Sequence, residues 1–105
     1  MHAYRLTVDN YDSFIFNLDK STTIGRKDIG SKPDIDLGPY DKGPYLSRNQ
    51  GYFYLKDEKL FYIDIGKNPV YRNGIIIEKN IETQIYDGDR LIFGKINTII
   101  SLSRE

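Results

Sequence analysis

No stretch of ten or more residues in this chain carries apolar side chains at the three- and four-residue spacing of an amphipathic helix. What recurs instead is alternation over short runs broken by turn residues. In Gly51–Lys56, Phe53 and Leu55 alternate with Tyr52 and Tyr54. In Lys59–Ile65 the alternation continues, with Phe61, Ile63 and Ile65 on one side. Further candidates are Tyr4–Val8, closed by Asp9-Asn10, Phe14–Leu18, closed by Asp19-Lys20, Ser21–Gly25, Asp34–Leu37, Arg90–Phe93 after Asp87-Gly88-Asp89, and Thr98–Leu102 after Gly94–Asn97. Val70–Arg72 and Ile75–Ile77 flank Asn73-Gly74, a dipeptide that tolerates positive φ at both central positions of a type I′ hairpin. Nine tyrosines, five phenylalanines and a single alanine suit pleated sheets better than helices. The expected fold is an all-β antiparallel sandwich.

At 105 residues the chain is expected to form one domain spanning 1–105, one that could stand beside other modules in a larger protein. A chain of this size buries roughly two-thirds of its unfolded surface without staples. There is no cysteine, so disulfides, thiolate nucleophiles and thiolate ligands are excluded, which fits a reducing cytoplasm. Fifteen basic and fifteen acidic residues cancel, against the basic excess typical of nucleic-acid binders. No apolar run reaches the length of a membrane span, and the N-terminus lacks the pattern of a secretory signal. The one histidine is His2, and no carboxylate pair or ligand cluster suggests catalysis or a metal. An enzyme, a cofactor and a membrane partner are therefore not expected. Tyr52, Tyr54 and Tyr62 could resemble a base-stacking platform, but alternating tyrosines read better as half-buried faces with wet hydroxyls.

Two segments break the strand rhythm. Arg26–Pro33 and Gly38–Gln50 are polar, and a long loop in a small domain is usually functional. Both are expected at one end of the sandwich. Within and around them stand Ile24-Gly25-Arg26, Pro33-Asp34-Ile35-Asp36-Leu37, Leu46-Ser47-Arg48, Asp64-Ile65-Gly66, Asn68 with Asn73-Gly74, and Asp87 to Gly94. In this order, from about Thr22 to Leu102, they resemble the forkhead-associated (FHA) domain, most like its prokaryotic members.

The resemblance implies a sandwich of about eleven strands whose loops at one end bind threonine-phosphorylated peptides or proteins in kinase signalling and regulation. Arg26 matches the arginine that pairs with phosphate, Ser47 the serine whose hydroxyl donates to it, and Arg48 a neighbour that often assists. Asn68 matches the asparagine that holds peptide backbone. Gly25, Gln50, Asn73 and Gly74 fall to turns and loop support. Two positions depart from the pattern. Gln50 stands where the family has a histidine behind the loop, and Lys67 where a small hydroxyl often meets phosphate. These departures keep open a degenerate scaffold that contacts proteins without phosphate. The chemistry suits the leading reading, because a phosphothreonine carries about −1.5 to −2 charge and three acceptor oxygens, which a planar guanidinium matches. No nucleic-acid partner is implied, and a monomer is favoured.

Overall fold

Alternating side chains can bury one face only if a second sheet covers it, and two sheets meet that requirement here. The computed structural model describes residues 2–9, 12–16, 20–43 and 45–104. In chain order the elements are β1 (His2–Val8), β2 (Asp12–Ile15), β3 (Thr22–Gly25), β4 (Ile35–Asp36), a 3-10 turn (Gly38–Tyr40), β5 (Gly51–Lys56), β6 (Lys59–Asp64), β7 (Val70–Arg72), β8 (Ile75–Ile76), β9 (Thr83–Ile85), β10 (Arg90–Phe93) and β11 (Ile96–Arg104). One sheet runs β2-β1-β11-β10-β7-β8 and the other β4-β3-β5-β6-β9.

Leu6 and Val8 of β1, Leu91 and Phe93 of β10 and Ile100 of β11 pack in one core with Ile24 of β3, Phe53 of β5, Leu60 and Tyr62 of β6 and Ile85 of β9. Aromatic rings join the layers. Phe53 lies 4.9 Å from Phe16 and 4.7 Å from Tyr62, and Tyr62 meets Phe93 edge-on at 5.9 Å. Such pairs contribute about 0.5–1.5 kcal/mol each beyond their burial.

The sandwich is as expected, with four differences. First, β4 pairs with β3 in parallel, Ile24 opposite Ile35. A parallel pair needs a connection that returns the chain to its starting edge, and the loop 26–34 provides it. Second, β6 turns inward the side opposite Phe61, Ile63 and Ile65. Leu60, Tyr62 and Asp64 are buried, whereas Phe61 and Ile63 are half-buried and Ile65 is exposed. Register dictates this, because Tyr62 lies opposite Phe53, and directly opposed residues share a face. The Tyr62 hydroxyl is accordingly not wet, and this tyrosine stands apart from Tyr52 and Tyr54. Third, β9 is an additional strand, held through Leu60 opposite Ile85 rather than by a strong pattern of its own. Fourth, β11 begins at Ile96, so the preceding turn is shorter than the sequence suggests. Asn10, Asn17, Leu18 and Asp19, which the sequence assigns to strand ends and turns, lie outside the described residues, as does Pro44 in the long loop.

The Asn73-Gly74 turn has φ of 50° and 85°, the left-handed values a type I′ hairpin requires. Asn73 also braces the turn before β10. Its Nδ2 donates to Asp89 Oδ1 at 2.9 Å, and its Oδ1 accepts the Arg90 N–H at 2.9 Å. Asp89 Oδ2 accepts from Arg72 Nε at 2.6 Å and from the Tyr86 N–H at 2.7 Å. Burial pushes the Asp89 carboxyl up, but the hydrogen bonds from Tyr86, Asn73 and Arg72 outweigh it and hold the group below its ordinary value. A carboxyl that titrates lower in the folded than in the unfolded chain stabilises fully above the unfolded value, about 3.9, and loses that contribution as pH falls through the folded value. Asp89→Ala should therefore cost about 2 kcal/mol at pH 7 in urea unfolding and flatten the decline in stability below about pH 4. An unchanged acid limb would contradict this assignment.

Candidate functional site

The two polar loops meet the β6–β7 connection at one end of the sandwich, where Arg26, Tyr45, Leu46, Ser47, Arg48, Lys67 and Asn68 line a groove of about 520 Å³. All five groove residues expected from the sequence are brought together. Arg26 follows β3 directly, and its backbone N–H is shared between the carbonyls of Ser47 and Arg48, at 3.2 Å each. Its side chain, one-third exposed, is fixed by Nε donating to the Leu46 carbonyl at 3.2 Å. Gly25 makes this approach possible, since a Cβ there would stand 1.9 Å from the Arg48 carbonyl oxygen.

Ser47 is held from both sides. Its N–H donates to Gln50 Oε1 at 3.0 Å, and its Oγ accepts the Lys67 N–H at 2.9 Å. The hydroxyl proton is committed to no acceptor among the described residues. Asn68 Nδ2 donates to the Tyr45 carbonyl, which ties the β6–β7 connection to the long loop. Lys67 is exposed, and its ammonium pairs with no carboxylate among the described residues. Arg48 reaches across to Asp28 in the first loop, Nε to Oδ2 at 2.6 Å.

Behind this rim lies a buried polar network. Gln50, 1% exposed, donates through Nε2 to Asp64 Oδ1 at 2.9 Å. The Tyr62 hydroxyl donates to the same oxygen at 3.0 Å. Lys79 Nζ donates to Asp64 Oδ2 and to the Asn68 carbonyl, both at 2.6 Å. The Gln50 carbonyl accepts the N–H groups of Ile65 and Gly66 at 2.9 and 3.0 Å. Gly66 must be small, since a Cβ there would stand 2.2 Å from the Gln50 amide. Burial, reinforced by the Asp64 carboxylate, pushes the Tyr62 phenol well above its ordinary value. Among the described residues, no buried side-chain polar atom lacks a partner.

Asn73 and Gly74 are not part of this end. They lie past the far end of β7, where Asn73 supports the turn at 86–89 and Gly74 completes the hairpin turn. The sequence singles out neither Asp28 nor Lys79, places Asp64 only within the Asp64-Ile65-Gly66 motif, and takes Tyr62 for a half-buried residue with a wet hydroxyl rather than a member of this network. A carboxylate two and four places beyond buried Tyr62 and Leu60 was the available signal for Asp64. No group of side chains suited to holding a metal ion occurs among the described residues.

Residues 22–94 match the family model of the FHA domain. The chain belongs to the FHA domain family. FHA domains are binding modules. Among solved structures, its fold is similar to the N-terminal FHA domain of Rad53p from S. cerevisiae in complex with a phosphothreonine peptide. That likeness has a TM-score of 0.81 and 20% identity over 96% of this chain and 94% of that one. The MEK1 FHA domain in complex with a HOP1 phosphothreonine peptide gives 0.77 and 16%, over 96% and 97%. The FHA domain of CT664 from Chlamydia trachomatis gives 0.75 and 20%, over 94% and 96%. No curated protein sequence matches the chain at a significant level.

If Gln50 locks the rim of this FHA domain, Gln50→Ala should lower unfolding free energy by about 2 kcal/mol, since it takes one of two donors from the buried Asp64 Oδ1 and leaves the Ser47 N–H without its acceptor. Hydrogen exchange at the Ser47 amide should accelerate alongside. Unaltered stability and exchange would show that the rim is ordered by something else.

Proposed function

We propose that this FHA domain binds threonine-phosphorylated segments of proteins, as a recognition module of kinase signalling in the cytoplasm, and that it performs no catalysis. The observation that carries the reading is the convergence of a braced guanidinium, a hydroxyl with an uncommitted proton, an unpaired ammonium and a side-chain amide on one open groove. The phosphothreonine peptides held by the Rad53p and MEK1 domains, which share this fold, support it.

In this reading Arg26 presents its guanidinium to two phosphate oxygens, and its bond to the Leu46 carbonyl removes the entropy of searching. The Ser47 hydroxyl donates to a third oxygen. Arg48 and Lys67 add positive charge, with Lys67 supplying a mobile point charge where a hydroxyl would give a directed bond. Asn68 gives one Nδ2 proton to the Tyr45 carbonyl, which leaves its Oδ1 for a peptide N–H and its second Nδ2 proton for a peptide carbonyl. Gln50 carries the load of the family histidine, because an amide can accept from Ser47 and donate to Asp64 at once. Residues 1–105 act as one unit, within which the absence of cysteine suits a reducing compartment.

Calorimetry with a matched pair of peptides tests this. The phosphothreonine peptide should bind and its unphosphorylated twin should not, and Arg26→Ala should weaken binding by about 2–4 kcal/mol by leaving charged phosphate oxygens without their partner. Equal affinity for both peptides would remove phosphate from the account and leave a scaffold for phosphate-independent contacts.

A further inference from the structure

The cationic groove already contains an anion of its own. Asp28 Oδ2 lies 2.6 Å from Arg48 Nε and 3.9 Å from an Arg26 terminal nitrogen, so one carboxylate oxygen is shared by the two guanidinium groups of the rim. We propose that Asp28 is a specificity-determining residue of this site, an internal competitor that sets a charge threshold which a phosphate dianion passes and a single carboxylate does not. The proposal rests on the phosphothreonine reading above.

Asp28 is held in place rather than left on a loose tip. Its backbone forms a closed bridge with Ser31, Asp28 N–H to the Ser31 carbonyl at 2.9 Å and the reverse bond at 3.1 Å. Its Oδ1 accepts the Ile29 N–H at 2.7 Å, which orients Oδ2 toward the arginines. Ser31 Oγ in turn donates to Asn49 Oδ1 at 3.3 Å, joining this turn to the loop that carries Ser47 and Arg48. The Ile29 N–H, then the Arg48 and Arg26 charges, hold the carboxyl below its ordinary value, so the competitor is charged throughout the neutral range.

The consequence follows from charge counting. An incoming carboxylate brings one negative charge to a pair of guanidinium groups that already share one. Replacing Asp28 exchanges one carboxylate for another with no gain in charge pairing, and binding beside Asp28 sets two like charges together, so only the charge left over from Arg26, Arg48 and Lys67 draws it in. A phosphothreonine brings close to two charges and three oxygens, enough to draw Arg48 away from Asp28 or to hold both guanidinium groups while Asp28 retreats. Acidic segments, abundant on protein surfaces, are thereby refused at the site where phosphate is accepted. Part of the positive potential is given up in unliganded protein to obtain that selectivity.

Asp28→Asn tests this, because the amide keeps an oxygen for the Ile29 N–H and replaces the charged acceptor that faces Arg48 with a neutral NH2 group, which releases the guanidinium. Three peptides of one sequence are titrated, with phosphothreonine, threonine or aspartate at the central position. In the native chain the phosphothreonine peptide should bind and the other two should not. In Asp28→Asn the phosphothreonine peptide should bind about three- to tenfold more tightly, and the aspartate peptide should gain measurable affinity. The gain should shrink as salt is raised from about 0.05 to 0.5 M, since both guanidinium groups are partly exposed. An Asp28→Asn variant that binds the phosphothreonine peptide equally or more weakly would overturn the proposal and make Asp28 a positioning partner of Arg48. Continued refusal of the aspartate peptide would overturn it as well. Failure of the native chain to prefer phosphothreonine would instead overturn the phosphothreonine reading on which this rests.

Discussion

Asp64 is wholly buried, and a carboxylate removed from water is costly unless donors replace its hydration. Three donors from different parts of the chain do so: the Gln50 amide, the Tyr62 hydroxyl and the Lys79 ammonium. Each of them has a second attachment. Gln50 holds the Ser47 N–H, Lys79 holds the Asn68 carbonyl, and the Tyr62 ring sits between Phe53 and Phe93 in the core. One anion thus fixes the spacing between the loop bearing Ser47 and the connection bearing Asn68. Loops without such anchoring would have to be ordered by the ligand, at a cost subtracted from affinity.

The same device accounts for a rim that is cationic on a chain of zero net charge. Arg26, Arg48 and Lys67 converge where the opposing carboxylate of Asp64 is behind the rim and already committed to Lys79. Among the described residues, Asp28 is the one carboxylate that forms an ion pair with them in front. Local placement rather than overall charge therefore creates the attraction, and its range is limited to about a Debye length. A partner must come close before it is felt, which suits recognition of a short segment better than long-range steering of a polyanion.

Much of this could be read from the sequence, and what could not has physical causes. Turn chemistry is local, so Asn73-Gly74 and Gly88 announced themselves, and the order of the loop motifs located Arg26, Ser47, Arg48, Lys67 and Asn68. Alternation states that two faces differ but not which is inward. In β6 the more apolar set, Phe61, Ile63 and Ile65, lost to Leu60, Tyr62 and Asp64 because pairing with Phe53 in β5 fixed the register. The parallel pairing of β4 and the existence of β9 are long-range results that no short window contains. The Asp64 network was hidden for the same reason, as its members span Gln50 to Lys79. Asp28 looked like one more loop carboxylate until the fold set it beside Arg48.

The central claim is that the groove between Arg26 and Asn68 is where a phosphothreonine segment is gripped. Backbone amide shifts followed by NMR during titration with a phosphothreonine peptide test it most directly. The account predicts that the largest shifts map to Arg26, Leu46, Ser47, Arg48, Lys67 and Asn68, with β8 and the turn at 86–89 silent. Shifts centred on the exposed Ile75 and Ile76 edge, with the groove amides unmoved, would contradict it.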